Sequence, residues 1–307
     1  MSLLLAALLQ VGPFVTSAAP PISDLPKEVQ QRQAIERKRA AEAQSSEPLP
    51  PQPGPRCGAG PEAGSKLAAC LELISVDPDA AADAASGWLG RAKGSERAEA
   101  GQALGSAQVA QQKFAEAAVT FQAARDAAAP SDHALRARLG AMAGNAELAD
   151  GKAEAALGLL DIARADAGAA PDLKLASGIA ADRASALVVL KRDAEAATAL
   201  ADARASDPAS SSAWLLSATL SRRMGKLAEA QSQIEEAARL RPIDPEIGLE
   251  AGVIAVLAGH DEAARKSWQS VLAMAPQSEP AATAKTYIAQ LAPAPAPVPP
   301  AIPAAGR

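Results

Sequence analysis

The sequence predicts an all-α protein, an α-solenoid of stacked antiparallel helix pairs. The first observation is a set of four positions that recurs five times: a small residue, a second small residue twelve positions on, a bulky apolar residue four later, and a small or branched residue three after that. The five sets are Gly105, Ala117, Phe121 and Ala124; Gly144, Ala156, Leu160 and Ala163; Ala184, Ala196, Leu200 and Ala203; Ala218, Ala230, Ile234 and Ala237; and Gly252, Ala264, Trp268 and Val271. Two other observations agree, a glycine within the unit and a proline stop after it. These residues are Gly151, Gly225 and Gly259, and Pro208, Pro242 and Pro276, the prolines following one another at intervals of 34 residues.

The spacing has a physical reason. Two helices that cross closely need alanine or glycine at the crossing, because larger side chains would hold the backbones apart. Residues three and four positions apart lie on one helical face, so Ile234 and Ala237 are expected to point at the neighbouring helix. A glycine such as Gly225 then makes the tight turn between the two helices.

Residues 1–19 are predicted to be a secretory signal peptide. The apolar run from Leu3 to Val11 is too short to span a bilayer, and the small residues Ser17-Ala18-Ala19 follow it. No Lys or Arg precedes the run, so an uncleaved anchor and a misassigned start stay open as alternatives. Export predicts a periplasmic or secreted protein without a membrane span in the mature chain.

Residues 20–63 are predicted to hold a charged helix and a Pro-rich linker. The helix-favouring stretch is 27–44, and the stiff linker is 45–55, which contains five prolines. Residues 293–307 are a second Pro/Ala-rich tract, predicted to be a disordered tail or spacer. The alternative for that tail is recognition by an aromatic groove on another protein.

The two cysteines, Cys57 and Cys70, lie thirteen residues apart, where the linker meets the folded region. In an exported chain a lone pair at this spacing predicts a disulfide bond. The alternative is two free, buried thiols.

Residues 64–292 are predicted to form the array, about six helix pairs followed by a C-terminal capping helix. An apolar stripe runs along 66–75, and Asp77-Pro78 ends that helix and caps the next. Asp132 and Asp172 are predicted N-caps of helices that extend to about Ala149 and Leu190. Ser278 is predicted to cap the final helix.

These patterns resemble the tetratricopeptide-repeat (TPR) family. The resemblance rests on the 34-residue spacing, on Ala213-Trp214 and Met224-Gly225-Lys226, and on the stretch Lys113-Phe114-Ala115-Glu116-Ala117. It implies a superhelix whose concave groove is lined mainly by the first helix of each pair. In the family that groove usually binds extended or helical segments of partner proteins.

The resemblance implies a set of groove residues on the face of the first helix that points away from the second. For each of them the alternative is a purely structural role over the core. They are Arg138, Asn145, Leu148, Ser185, Val188, Leu215, Thr219, Arg222 and Val253. The leading hypothesis is therefore a monomeric, non-enzymatic periplasmic scaffold that binds a partner protein or peptide. The alternative is a structural module of a cell-envelope or cell-division complex, tethered through its N-terminal helix.

Other classes of function lack support in the sequence. With a net charge of −5 the chain has no basic excess for a nucleic-acid partner. Its two histidines, His133 and His260, lie far apart, and no cluster has the spacing of metal ligands. No phosphate-binding glycine loop or nucleophile motif is present. We therefore expect no enzyme activity, cofactor or metal.

Overall fold

The structure, a computed structural model, describes Cys57 and residues 63–291 of the 307-residue chain. The predictions for the signal peptide, for the charged helix and linker up to residue 56, and for the tail from 293 lie outside the described residues. Within 63–291 the chain is helical, with thirteen helices and no strand. The helices are α1 Ala63–Ile74, α2 Pro78–Arg91, α3 Glu96–Ala110, α4 Phe114–Ala127, α5 His133–Ala149, α6 Ala153–Gly168, α7 Leu173–Val189, α8 Asp193–Ser206, α9 Ser211–Arg223, α10 Leu227–Leu240, α11 Pro245–Leu257, α12 Asp261–Met274 and α13 Glu279–Gln290.

The helices pack as six consecutive pairs and one further helix. We call the odd-numbered helices from α1 to α11 the A helices and their even-numbered partners the B helices. Each A helix packs against its own B helix, and each B helix packs against the next A helix. Neighbouring A helices also pack against one another at α1–α3, α5–α7, α7–α9 and α9–α11. The last helix, α13, packs against α12 and α11. The predicted solenoid of six pairs with a C-terminal capping helix is confirmed.

In the five pairs from α3–α4 to α11–α12, the predicted crossing residues bring the A helix against its B helix. All five bulky residues are buried, with Leu160 fully inaccessible and Leu200 and Trp268 only 3% exposed. A Cβ atom added at Gly105 would lie 2.5 Å from the ring of Phe121, so nothing larger than glycine fits that crossing. The spacing in the sequence therefore marks the positions where the backbones of an A helix and its B helix come closest.

Five of the six A-to-B turns, those from α3–α4 to α11–α12, each contain one residue in the left-handed conformation. The predicted glycines Gly151, Gly225 and Gly259 have φ of 79°, 76° and 80°. The equivalent residues of the other two units are Gln112, with φ of 60°, and Lys191, with φ of 62°. The same turn is thus built in all five units, although two of them place a side chain where glycine is favoured.

The helix starts follow the predicted caps. The side chains of Asp132 and Asp172 accept hydrogen bonds from backbone N–H groups three residues later, and α5 and α7 begin directly after them. Asp77 and Ser278 cap α2 and α13 in the same way. Helices α5 and α7 have 17 residues, against 13 in α9, so these two A helices are about one turn longer.

The N-terminal end of the array is fastened by covalent and polar contacts. The predicted disulfide Cys57–Cys70 is present, and Cys70 is fully buried on α1. The carboxylate of Glu96 on α3 accepts a hydrogen bond from the indole of Trp88 and pairs with Lys66, each at 2.8 Å. One side chain thus joins α1, α2 and α3.

Candidate partner-binding groove

Three apolar pockets lie on one face of the array, each between an A helix and the next odd-numbered helix. The first pocket, of about 260 Å³, lies between α3 and α5. The second, of about 170 Å³, lies between α7 and α9, and the third, of about 350 Å³, between α11 and α13. The residues that directly follow the small crossing residues line these pockets: Ser106 and Asn145 the first, Ser185 and Thr219 the second, and Val253 the third. Because these positions are equivalent, the pockets share one face, which we call the groove.

The lining of the pockets is mainly apolar. Their floors are the bulky B-helix residues Phe121, Leu200 and Trp268. Each pocket also has an apolar wall residue that is open to solvent: Val109 at 39%, Leu216 at 39% and Leu257 at 53% exposure. Apolar side chains that remain exposed in concave sites mark surfaces suited to a partner.

Polar bridges occupy the junctions between these pockets. Between α5 and α7, the amide Nδ2 of Asn145 donates a hydrogen bond of 2.9 Å to Asp182 Oδ2. Between α9 and α11, Arg222 Nε donates to Glu250 Oε1 at 2.6 Å, and both side chains are largely buried. The groove therefore alternates between apolar pockets and polar bridges along the row of A helices.

At the four junctions from α3–α5 to α9–α11, one position of the later A helix distinguishes a pocket from a bridge. It lies two residues before the small crossing residue, and it holds Met142 and Leu216 where a pocket opens. The same position holds Asp182 and Glu250 where a bridge forms. An apolar side chain leaves an open pocket against the preceding A helix, whereas a carboxylate recruits a donor from it.

The bridge carboxylate of Asp182 is perturbed by its surroundings. Burial between α5 and α7 raises the pKa of Asp182, and the hydrogen bond from Asn145 opposes that rise. The charged form is therefore disfavoured in the fold. This bridge is a polar contact held at some cost within a groove that is otherwise largely apolar.

The structure places the nine sequence-predicted groove residues in four environments. Those that line a pocket are Asn145, Ser185, Val188, Thr219 and Val253. Leu148 and Leu215 are partly buried against the core, and Arg222 forms the bridge to Glu250. Arg138 is exposed on α5 and has no ionic or hydrogen-bonded partner among the described residues. The nine do not form a single cluster.

Sequence reasoning missed the residues that decide whether a junction is open or bridged. Met142, Leu216 and Leu257 supply pocket walls, and Asp182 and Glu250 supply the acceptors of the bridges. A signal was present, since the position two before the crossing residue alternates between apolar and acidic from Met142 to Glu250. It becomes informative only when successive A helices are known to contact one another.

The described residues contain no group of three His, Cys, Asp or Glu side chains that could hold a metal ion. His133 lies at the start of α5, and His260 is the exposed N-cap of α12. Among the residues that the structure describes, no helix combines the length and the apolar character needed to cross a bilayer.

Solved structures share this succession of helix pairs. PilW, described as a widely conserved type IV pilus biogenesis factor, superposes with a TM-score of 0.59 at 16% identity, over 73% of this chain and 99% of its own. PilF of Pseudomonas aeruginosa gives a TM-score of 0.57 at 16% identity, over 73% and 97%. The chain has the tetratricopeptide-repeat fold. TTC0263, a TPR protein of Thermus thermophilus, matches 62% of this chain and 97% of its own length, with a TM-score of 0.49 at 19% identity. No protein-family model and no curated protein matches the sequence.

Proposed function

We propose that this TPR protein is a non-enzymatic scaffold that binds a segment of a partner protein in its groove. The observation that carries the proposal is the series of three apolar pockets at equivalent positions of the A-helix row. Each pocket has a buried aromatic or leucine floor and an exposed apolar wall. Such a surface suits apolar side chains presented one after another by a single segment.

The pockets and bridges define the chemistry of that segment. Burying one apolar side chain of valine, leucine or phenylalanine size contributes about 1.5–3 kcal/mol, so three anchors together contribute roughly 4.5–9 kcal/mol toward binding. The bridges Asn145–Asp182 and Arg222–Glu250 satisfy their own polar groups and leave little demand for charge from the ligand. We therefore expect an extended or helical segment whose apolar residues are separated by polar ones.

The proposed location is the periplasm, or the outside of the cell after secretion. It is supported by the apolar leader at 3–11 and by the disulfide Cys57–Cys70, since disulfides persist in oxidising compartments. The similarity of fold to PilW, a pilus biogenesis factor, is in keeping with it. Mass spectrometry of the native protein is expected to find an N-terminus after Ala18 or Ala19. An intact Met1 on a cytosolic chain would contradict export.

The groove is tested by capture from an envelope fraction with the full-length chain and a matched pair of variants. Leu216→Asp places a charge in the second pocket, and Ile162→Asp makes the same change at an exposed residue of the B helix α6. Both residues are open to solvent, at 39% and 46%, so both variants are expected to fold. We expect Leu216→Asp to weaken capture of the partner about tenfold or more, which corresponds to about 1.4 kcal/mol or more. Equal capture by the two variants would refute a groove-bound partner.

A further inference from the structure

The third pocket is lined by two aromatic side chains that contact one another. Trp268 on α12 and Tyr287 on α13 contact one another with ring centroids 5.2 Å apart and planes tilted by 48°. The side chains that line this pocket carry no charge. Trp268 Nε1 already donates to the carbonyl of Leu249 at 3.0 Å. The Tyr287 hydroxyl and the Gln290 amide have no hydrogen-bond partner among the described residues, so both remain available as donors at the pocket.

The chain leaves the array at this same pocket. Leu291, which follows α13, lines the third pocket and has φ of −70° and ψ of 140°. These angles match the polyproline II conformation. The chain therefore turns from helix to an extended backbone at the edge of an aromatic pocket.

The sequence that follows has the composition that prefers this conformation. Residues 292–307 read APAPAPVPPAIPAAGR, with a proline at every second residue from Pro293 to Pro299. At about 3.1 Å per residue, sixteen residues in polyproline II geometry would reach about 50 Å, far more than is needed to return to the pocket. Polyproline II segments leave their backbone carbonyls free, and aromatic grooves recognise their ring faces.

We propose that the C-terminal segment 292–307 docks in the third pocket of its own chain as a polyproline II ligand. Proline rings and Val298 pack against Tyr287 and the exposed edge of the pocket at Leu257, and backbone carbonyls accept hydrogen bonds from Tyr287 and Gln290. The uncharged lining matches a segment whose only charged side chain is Arg307. The proposal rests on the groove being a binding surface, and it adds a competitor for the last of the three pockets.

Tethering favours this occupant over a free ligand of equal affinity. The segment is joined to the pocket directly through Leu291, so docking is intramolecular, and a short connection gives an effective concentration on the order of 1 mM. A contact too weak to hold a separate peptide at cellular concentrations is therefore largely formed within the chain. An external partner gains access to the third pocket only by displacing the segment, so docking lowers the apparent affinity of the groove without blocking the first two pockets.

Photo-cross-linking in the full-length protein tests the docking. A benzophenone amino acid replaces Leu257, which is 53% exposed, and the matched control carries it at Val109, the exposed wall of the first pocket. We expect cross-links from position 257 to peptides within 292–307, independent of protein concentration, and about tenfold fewer from position 109, in line with the local concentration of the tether. Equal yields from the two positions, or cross-links that join two chains, would overturn docking within the chain.

A length-matched tail variant separates specific docking from mere proximity. It replaces the tail prolines by serine: Pro293→Ser, Pro295→Ser, Pro297→Ser, Pro299→Ser, Pro300→Ser and Pro303→Ser. The variant should lose the cross-link from position 257, and a synthetic peptide of residues 292–307 should bind it about tenfold or more tightly than it binds the wild-type chain, because its pocket is empty. An unchanged cross-link with the serine tail refutes the proposal. Neither assay uses an external partner, so this failure is distinct from equal capture by Leu216→Asp and Ile162→Asp.

Discussion

Replacing Gly252 by alanine tests the close crossing of α11 and α12. A Cβ atom at this position would lie 2.1 Å from Trp268 Nε1 and 2.5 Å from its Cδ1. The indole has little freedom to move, because it is 3% exposed and donates a hydrogen bond to the carbonyl of Leu249. Overpacking of this kind costs about 1–3 kcal/mol, and loss of the indole hydrogen bond would add about 1 kcal/mol.

Helix propensity acts in the opposite direction and sets the control. Alanine is favoured over glycine inside a helix by about 1 kcal/mol, so Gly252→Ala is expected to destabilise by a net 1–3 kcal/mol or so. Gly158 on α6 is exposed, and a Cβ atom there would meet nothing within 4 Å. Gly158→Ala is therefore expected to stabilise the fold by about 0.5–1 kcal/mol.

Urea denaturation of the two variants, with hydrogen exchange to locate the effect, measures the difference. In a repeat array each unit contacts only its neighbours, so loss of protection in Gly252→Ala should concentrate in α11, α12 and α13. We expect the midpoints of the two variants to move in opposite directions. If Gly252→Ala proves as harmless as Gly158→Ala, the crossing geometry derived from the four-position sets is wrong.

Three further changes probe the turn, the disulfide and the groove bridge. Lys191→Gly should raise the denaturation midpoint, because the left-handed conformation costs a residue with a side chain about 1–2 kcal/mol. The greater backbone entropy of glycine in the unfolded chain offsets only about 0.4–1 kcal/mol of this gain. An unchanged or lower midpoint would contradict the turn geometry. Thiol titration of the native protein should find no free Cys57 or Cys70, and reduction should cost about 3 kcal/mol in the chain-entropy model, whereas two reactive thiols without reductant would contradict the bridge. Since burial raises the pKa of Asp182, the fold loses stability as pH rises from the usual pKa of an aspartate through this raised value. Asp182→Asn should therefore stabilise at neutral pH, with a gain that vanishes in acid and that the exposed control Asp202→Asn lacks; equal behaviour of the two would contradict it.

Much of the fold could be predicted because its determinants are local. The spacing from Gly105 to Phe121 reflects a contact within one helix pair. Asp132 and Asp172 each mark the start of a single helix. The left-handed residue at Lys191 escaped prediction because the sequence shows a glycine in only three of the five turns. At Lys191 the packing of the two helices requires the left-handed conformation, although a lysine does not favour it.

The groove was harder to predict because it depends on contacts between successive A helices. Arg222 has the appearance of a free groove cation in the sequence, but Glu250, 28 residues later, lies within 2.6 Å of it. Leu148 and Leu215 point partly into the core, since the face of an A helix that avoids its B helix also meets the next pair. Periodicity within one unit does not contain this information.

Covalent footprinting of the protein with and without its captured partner tests the binding groove most directly. A carbene reagent labels exposed apolar side chains, and the groove offers Val109, Leu216 and Leu257, with Ile162 and Ile243 as exposed references elsewhere. We predict that the partner protects at least Val109 and Leu216 and leaves both reference residues labelled as before. Protection of Ile162 or Ile243 with unchanged labelling of Val109 and Leu216 would contradict the groove as the binding site.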